Sequence, residues 1–309
     1  MTVGPEYLEY PLRRQGMDHD LYPWRKLGDH RRFAWPGGKS VATMIVVSLE
    51  WFPILPEDKP FRAPGHMQTA YPDYRHYTSR DYGTRVGVER FLDAFAQVGA
   101  KVGVACNAAI AQRYPALVEA IVTAGHEIVA HSTDMNGTIA TGLPEERERE
   151  LIGQSLATLE SVTGRRPRGW LSIARSESWN TPRLLAEAGL DYTLDWVNDE
   201  LPFMLGSEAS AIANLPLNHE LSDRQIITVQ QHSADSYAEQ QQDAFRWLSA
   251  EAATTGCARM LPLHLTPYIM GLPYRIGALE TLLGWLAGQP DNTFLTPSDL
   301  LDGWRAGEA

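Results

Sequence analysis

Apolar and polar positions along the chain recur with two different periods, which separate strands from helices. The run Val41 to Leu49 is apolar almost throughout and predicts a buried strand. Over Val86–Val98, residues Val88, Phe91, Leu92 and Phe95 repeat at i, i+3, i+4 and i+7, which predicts a helix. Further strands are predicted at 101–106, 127–130, 169–172, 192–195, 226–229 and 260–265. Further helices are predicted at 115–124, which stops at Gly125, and at 144–163, 181–188, 238–254 and 275–287. Strand–helix alternation of this kind predicts a parallel sheet or barrel. Residues 1–38, rich in Arg, Pro and aromatics, and the Pro- and Tyr-rich stretch 52–81 carry neither period. Loops that long are usually functional.

Glu50 follows directly on the first strand. A carboxylate at the C-terminal end of a buried strand is a poor structural choice, and in a parallel barrel that end is where catalytic groups sit. His131 stands in the same relation to the strand at 127–130, and His264 closes the apolar segment Met260–Leu263. His126, five positions before His131, reads as structural.

Composition narrows the picture. A chain of 309 residues fits one barrel-sized domain, 1–309, with an irregular N-terminal extension at 1–38. The net charge of −11 leaves no basic stripe for phosphates, which argues against nucleic acid or an anionic membrane as partner. Cys106 and Cys257 form neither a disulfide framework nor a metal-site spacing. No run is long and apolar enough to span a bilayer, and residues 1–30 lack a signal-peptide apolar core. The expected location is the cytoplasm.

Several fragments then line up in order. Ser48-Leu49-Glu50-Trp51-Phe52-Pro53 resembles Thr-Phe-Asp-Asp-Gly-Pro, and His131-Ser132-Thr133-Asp134-Met135 resembles His-Ser/Thr-x-x-His. Both are motifs of the polysaccharide deacetylase superfamily. Asp81 to Gly87, Gly125-His126-Glu127-Ile128, Arg165 to Trp170 with Arg175, Asn180 to Arg183, Asp195 with Asp199-Glu200-Leu201-Pro202-Phe203, and His264 with Gly271 to Arg275 resemble its metal-independent allantoinase and cyclic imide hydrolase branch. The likeness runs from about residue 10 to 304. It implies a distorted (β/α) barrel of the polysaccharide deacetylase type, with seven strands, and a homotetramer. In the superfamily's metal enzymes the first Asp of the first motif is a general base; the second Asp and both motif histidines bind the metal. Trp51 and Met135 stand at two of those ligand positions here. A thioether and an indole N–H do not suit a hard hydrolytic metal, so no metal and no cofactor is expected.

The implied chemistry is hydrolysis of a C–N bond in a small cyclic amide, imide or ureide. Glu50 is the expected base, with its pKa raised by an apolar mouth. His131 or His264 would stabilise the oxyanion or protonate the leaving nitrogen. Arg175 would hold a carbonyl or carboxylate with its planar fork. Trp51, Ser132, Met135, Trp170, Asp195 and Trp196 are the expected substrate-binding residues. Two alternatives stay open: a metal-dependent N-deacetylase or deformylase using Glu50, His131 and Asp134, or a non-catalytic binding protein.

Overall fold

The computed structural model describes residue 19 and residues 21–55, 70–206 and 210–308. The remainder of the two irregular stretches, 1–38 and 52–81, lies outside the described residues. Among the described residues nine strands form one sheet: β1 (Val41–Leu49), β2 (Gly103–Cys106), β3 (Glu127–Ala130), β4 (Gly169–Trp170), β5 (Tyr192–Thr193), β6 (Phe203–Leu205), β7 (Ile212–Asn214), β8 (Arg259–Leu265) and β9 (Asn292–Leu295). Their order is β6-β7-β5-β4-β3-β2-β1-β8. The seven from β7 to β8 run parallel, as does β9 beside β1, and β6 adds an antiparallel strand at one end. β9 and β2 share one edge of β1: Val41–Met44 pairs with β9 and Val46–Leu49 with β2. The result is an open, distorted α/β barrel. Six of the seven predicted strands lie in the parallel row, and the short β6, β7 and β9 were not expected.

Side-chain alternation divides the core into two layers. Ala42, Met44 and Val46 of β1 point inward with Ala105, Val129, Leu171, Leu194 and Leu215. Val41, Ile45, Val47 and Leu49 point outward, against Phe91 and Phe95 of the helix Val88–Val98 and Leu283 of the helix Ile276–Ala287. The helices Val88–Val98 and Glu145–Thr163 stop at Gly99 and Gly164, each left-handed at φ 68° and 69°, a conformation cheap only for glycine.

One predicted strand is a helix. Residues Arg224–Val229 form a wide helical turn, with Ile226 and Ile227 buried side by side. A four-residue apolar run cannot distinguish strand from helix by period alone. The signal lay just before it: the Ser222 hydroxyl accepts from the Gln225 N–H, as a helix cap does. No helix among the described residues is long and apolar enough to cross a membrane.

Candidate active site at the barrel mouth

The inward row of β1 continues past Val46 through Ser48 to Glu50, so both side chains rise into the C-terminal mouth. By the same alternation His131 extends the inward row of β3 beyond Val129, and His264 that of β8 beyond Met260. Asn107, at the end of β2, binds the neighbouring strand ends together. Its Oδ1 accepts from the Trp51 N–H at 2.7 Å and its Nδ2 donates to the His131 carbonyl. Here Ser48, Glu50, His131, Arg175, Arg224 and His264 line a cavity of about 190 Å³, together with Leu171, Ser172, His219 and Gln225.

Glu50 does not sit in an apolar mouth. One nitrogen of Arg224 donates to its two oxygens at 2.8 and 3.1 Å, and the Tyr268 hydroxyl donates at 2.7 Å. The long-range return of the Arg224 turn supplies a cation the sequence expectation lacked. Tyr268 is brought there by close backbone packing. A Cβ on Gly87 would lie 2.2 Å from the Pro267 carbonyl, and one on Gly83 2.9 Å from the Tyr268 nitrogen.

His131 is buried, and burial holds its pKa below the ordinary histidine value despite the favourable charge of Glu50. Its Nδ1 lies 2.6 Å from the Leu171 carbonyl. A carbonyl only accepts, so Nδ1 carries the proton and Nε2 bears a lone pair. That Nε2 is buried without a hydrogen-bond partner among the described residues. His264 is the converse. Its Nδ1 faces Arg175 at 3.0 Å and its Nε2 faces the Ser48 hydroxyl at 2.7 Å. Burial, then Arg175 and Arg224, push its pKa well below the ordinary value.

Arg175 also donates from Nε to the Leu217 carbonyl at 3.1 Å, and burial lowers its pKa to about 10. Ala174 and Arg175 are both left-handed, at φ 54°, and Ser132, next to His131, has φ 59°. Such non-glycine strain costs about 1–3 kcal/mol per residue and gathers at functional sites. Asp195 steadies the turn by accepting from the Ser172 N–H at 2.8 Å.

The other expected binding residues stay off the cavity. Trp51 continues the outward row, where Arg113 lies over its ring at 4.4 Å. Ser132 donates to the Gly137 carbonyl, Met135 and Trp170 pack in the outer core, and Asp195 and Trp196 lie behind the Arg175 turn. Trp196 donates to Glu177, a carboxyl that burial and Asp195 hold well above its usual range. Ser48, Arg224 and His219 were not anticipated. Only Ser48 had a sequence signal, the shared parity with Glu50. Among the described residues no group of three or more His, Cys, Asp or Glu side chains could hold a metal ion. Asp134 instead accepts from the Asn136 N–H. The donor set therefore does not fit a hydrolytic metal.

Residues 72–193 match the polysaccharide deacetylase family. The crystal structure of Puue allantoinase superimposes with a TM-score of 0.84 at 26% identity, covering 96% of this chain and 98% of that one. A probable polysaccharide deacetylase from Pseudomonas aeruginosa PAO1 gives a TM-score of 0.80 at 27% identity, over 88% and 93% of the two chains. A Schizosaccharomyces pombe protein that carries the polysaccharide deacetylase name is 25% identical over 302 residues, 88% of this chain and 92% of its own. Residues 72–193 are thus a polysaccharide deacetylase domain, in a fold similar to that of Puue allantoinase.

Proposed function

We propose that the protein is a metal-independent hydrolase that opens the C–N bond of a small cyclic amide, imide or ureide. The deacetylase match over residues 72–193 and the likeness to an allantoinase support a hydrolase acting on C–N bonds. One observation carries the finer reading: a buried, unpartnered His131 Nε2 on a cavity of about 190 Å³. The space suits a small heterocycle rather than a polymer. Cyclic imides and ureides have an activated carbonyl and a good leaving nitrogen, which suits a site whose donor set holds no Lewis acid.

The geometry favours His131 over Glu50 as base. Both Glu50 oxygens already accept from Arg224 and Tyr268, whereas the His131 lone pair is unspent. Water gives a proton to Nε2 as its oxygen attacks the carbonyl carbon. Glu50 stabilises the imidazolium that forms, as the strongest favourable charge acting on His131. The protonated Nε2 then returns the proton to the departing ring nitrogen.

The test is a panel of hydantoins, cyclic imides, ureides and N-acyl compounds. Ring opening that persists after exhaustive chelation is expected. Activity lost to chelator and restored by Zn²⁺ or Co²⁺ overturns the proposal, as does turnover of acyclic N-acyl compounds alone.

A further inference from the structure

We infer that the Ser48 hydroxyl is the donor to the oxyanion, polarised by Arg175 through His264. The inference rests on the hydrolase reading above. It starts from direction. A guanidinium has donors and no acceptor, so the Arg175–His264 contact of 3.0 Å requires a bare lone pair on His264 Nδ1. In the neutral ring the proton is then on Nε2, which must donate to the Ser48 oxygen 2.7 Å away. Ser48 thus accepts from His264, and its own hydrogen has no acceptor among the described residues. The side chain is 1% exposed and lines the cavity.

This order is the reverse of a serine nucleophile's. There the third group is a carboxylate that accepts from the histidine, leaving the other ring nitrogen bare to take the serine proton. Here the third group is a cation and donates, so His264 has no lone pair to offer Ser48. Ser48 is a hydrogen-bond donor and not an attacking group. Donor chains of this kind polarise one another, and the last hydrogen carries the effect of Arg175 into a site that Arg175 need not touch.

The reaction then balances without a covalent enzyme step. Water oxygen bonds to the carbonyl carbon, its proton goes to His131 Nε2, and the C=O electron pair moves onto oxygen. That oxyanion accepts from Ser48. When the pair returns, the C–N bond breaks and the nitrogen takes the proton from His131. Ser48 is the catalytic donor, and His264 and Arg175 are positioning residues behind it.

The test joins a spectrum to a kinetic series. In ¹⁵N NMR of the wild-type chain near pH 7, His264 should carry its proton on Nε2. A proton on Nδ1 overturns the relay whatever the activity. On a cyclic substrate that the wild type opens, Ser48→Ala should lose about 10²–10³ in kcat, the scale of one oxyanion donor, with KM nearly unchanged. Ser48→Cys, a weaker donor, should fall between. Wild-type kcat in Ser48→Ala, or a loss in KM alone, overturns the role of Ser48 while the hydrolase reading stands. Should Ser48→Ala fail to fold, the Cys variant and the spectrum still decide, since wild-type kcat in the Cys variant also overturns it. A wild type that opens no ring overturns both together.

Discussion

Two histidines flank β3, His126 before it and His131 after it. Both are buried, at 7% and 2% exposure, and burial depresses the pKa of each. What separates them is spent hydrogen-bonding capacity. At the lower end His126 Nδ1 accepts from the Val102 N–H at 3.2 Å. At the mouth His131 keeps Nε2 unpartnered. The carboxylates tell the same story. Glu127, at the lower end, accepts from the Tyr192 hydroxyl and from the Ser298 N–H and hydroxyl, all neutral donors. Glu50, at the mouth, is held by a cation in a cavity that carries two more imidazoles. Burial and a depressed pKa mark the histidines of both ends alike. Among the described residues, an unspent imidazole lone pair and a cation hydrogen-bonded to the carboxylate mark the mouth.

The largest expected effect tests the two histidines directly. His131→Gln should lose about 10²–10⁴ in kcat, the usual worth of a general base. His126→Ala should keep kcat and lose about 1–3 kcal/mol of stability, because the Val102 N–H is left buried without a partner. Equal kinetic losses at both positions, measured on one ring substrate, would dissolve the distinction between the ends.

The carboxylates come next. Glu50→Gln leaves Arg224 uncompensated, and breaking a buried pair costs about 3–5 kcal/mol. It also removes the charge that favours the His131 imidazolium, so kcat should fall by about 10²-fold. Glu127→Gln should cost about 1–3 kcal/mol and leave kcat alone. Denaturant melts and steady-state rates on the four variants separate stability from chemistry.

A pH profile refines the contrast. The base works when Nε2 is unprotonated, so kcat/KM falls as pH drops through the His131 pKa. Burial lowers that pKa, which places the acid limb below histidine's ordinary value of about 6.5. An acid limb above that value would assign the limb to another group.

The strand ends were legible in the sequence, and the reason is continuous apolar runs. Val41–Leu49 is apolar almost throughout and buried along its whole length, so β1 and its terminal Glu50 could be read without coordinates. His131 and His264 follow the same rule at β3 and β8. Their partners were not legible. Arg224 reaches Glu50 across 174 positions, from a turn whose apolar run read as strand. Short strands failed for a related reason: β6 and β7 have three residues each, too few for alternation to register. Trp51, Ser132 and Trp170 were placed in the site by their positions in the motifs that carry the resemblance. In a strand the adjacent residue points to the opposite face, and a parity count would have moved Trp51 and Trp170 outward and brought Ser48 in.

The smallest expected effect concerns Met135, which the motif comparison put on the substrate. The structure packs it, 2% exposed, in the outer layer with Ile139 and Cys106. Its N–H donates to the Trp51 carbonyl at 3.0 Å, a backbone contact indifferent to the side chain. Met135→Leu conserves volume, so it should cost less than about 1.5 kcal/mol. KM and kcat should both stay near wild type across the substrate panel. The paired change Ser48→Ala, on the inward parity, should differ in both respects: it leaves the His264 Nε2–H without its acceptor, at about 1–3 kcal/mol, and it loses about 10²–10³ in kcat. A Met135→Leu variant whose KM shifts by substrate while its melt is unchanged would return that side chain to the cavity wall. It would also break the parity rule that assigns the inner and outer rows.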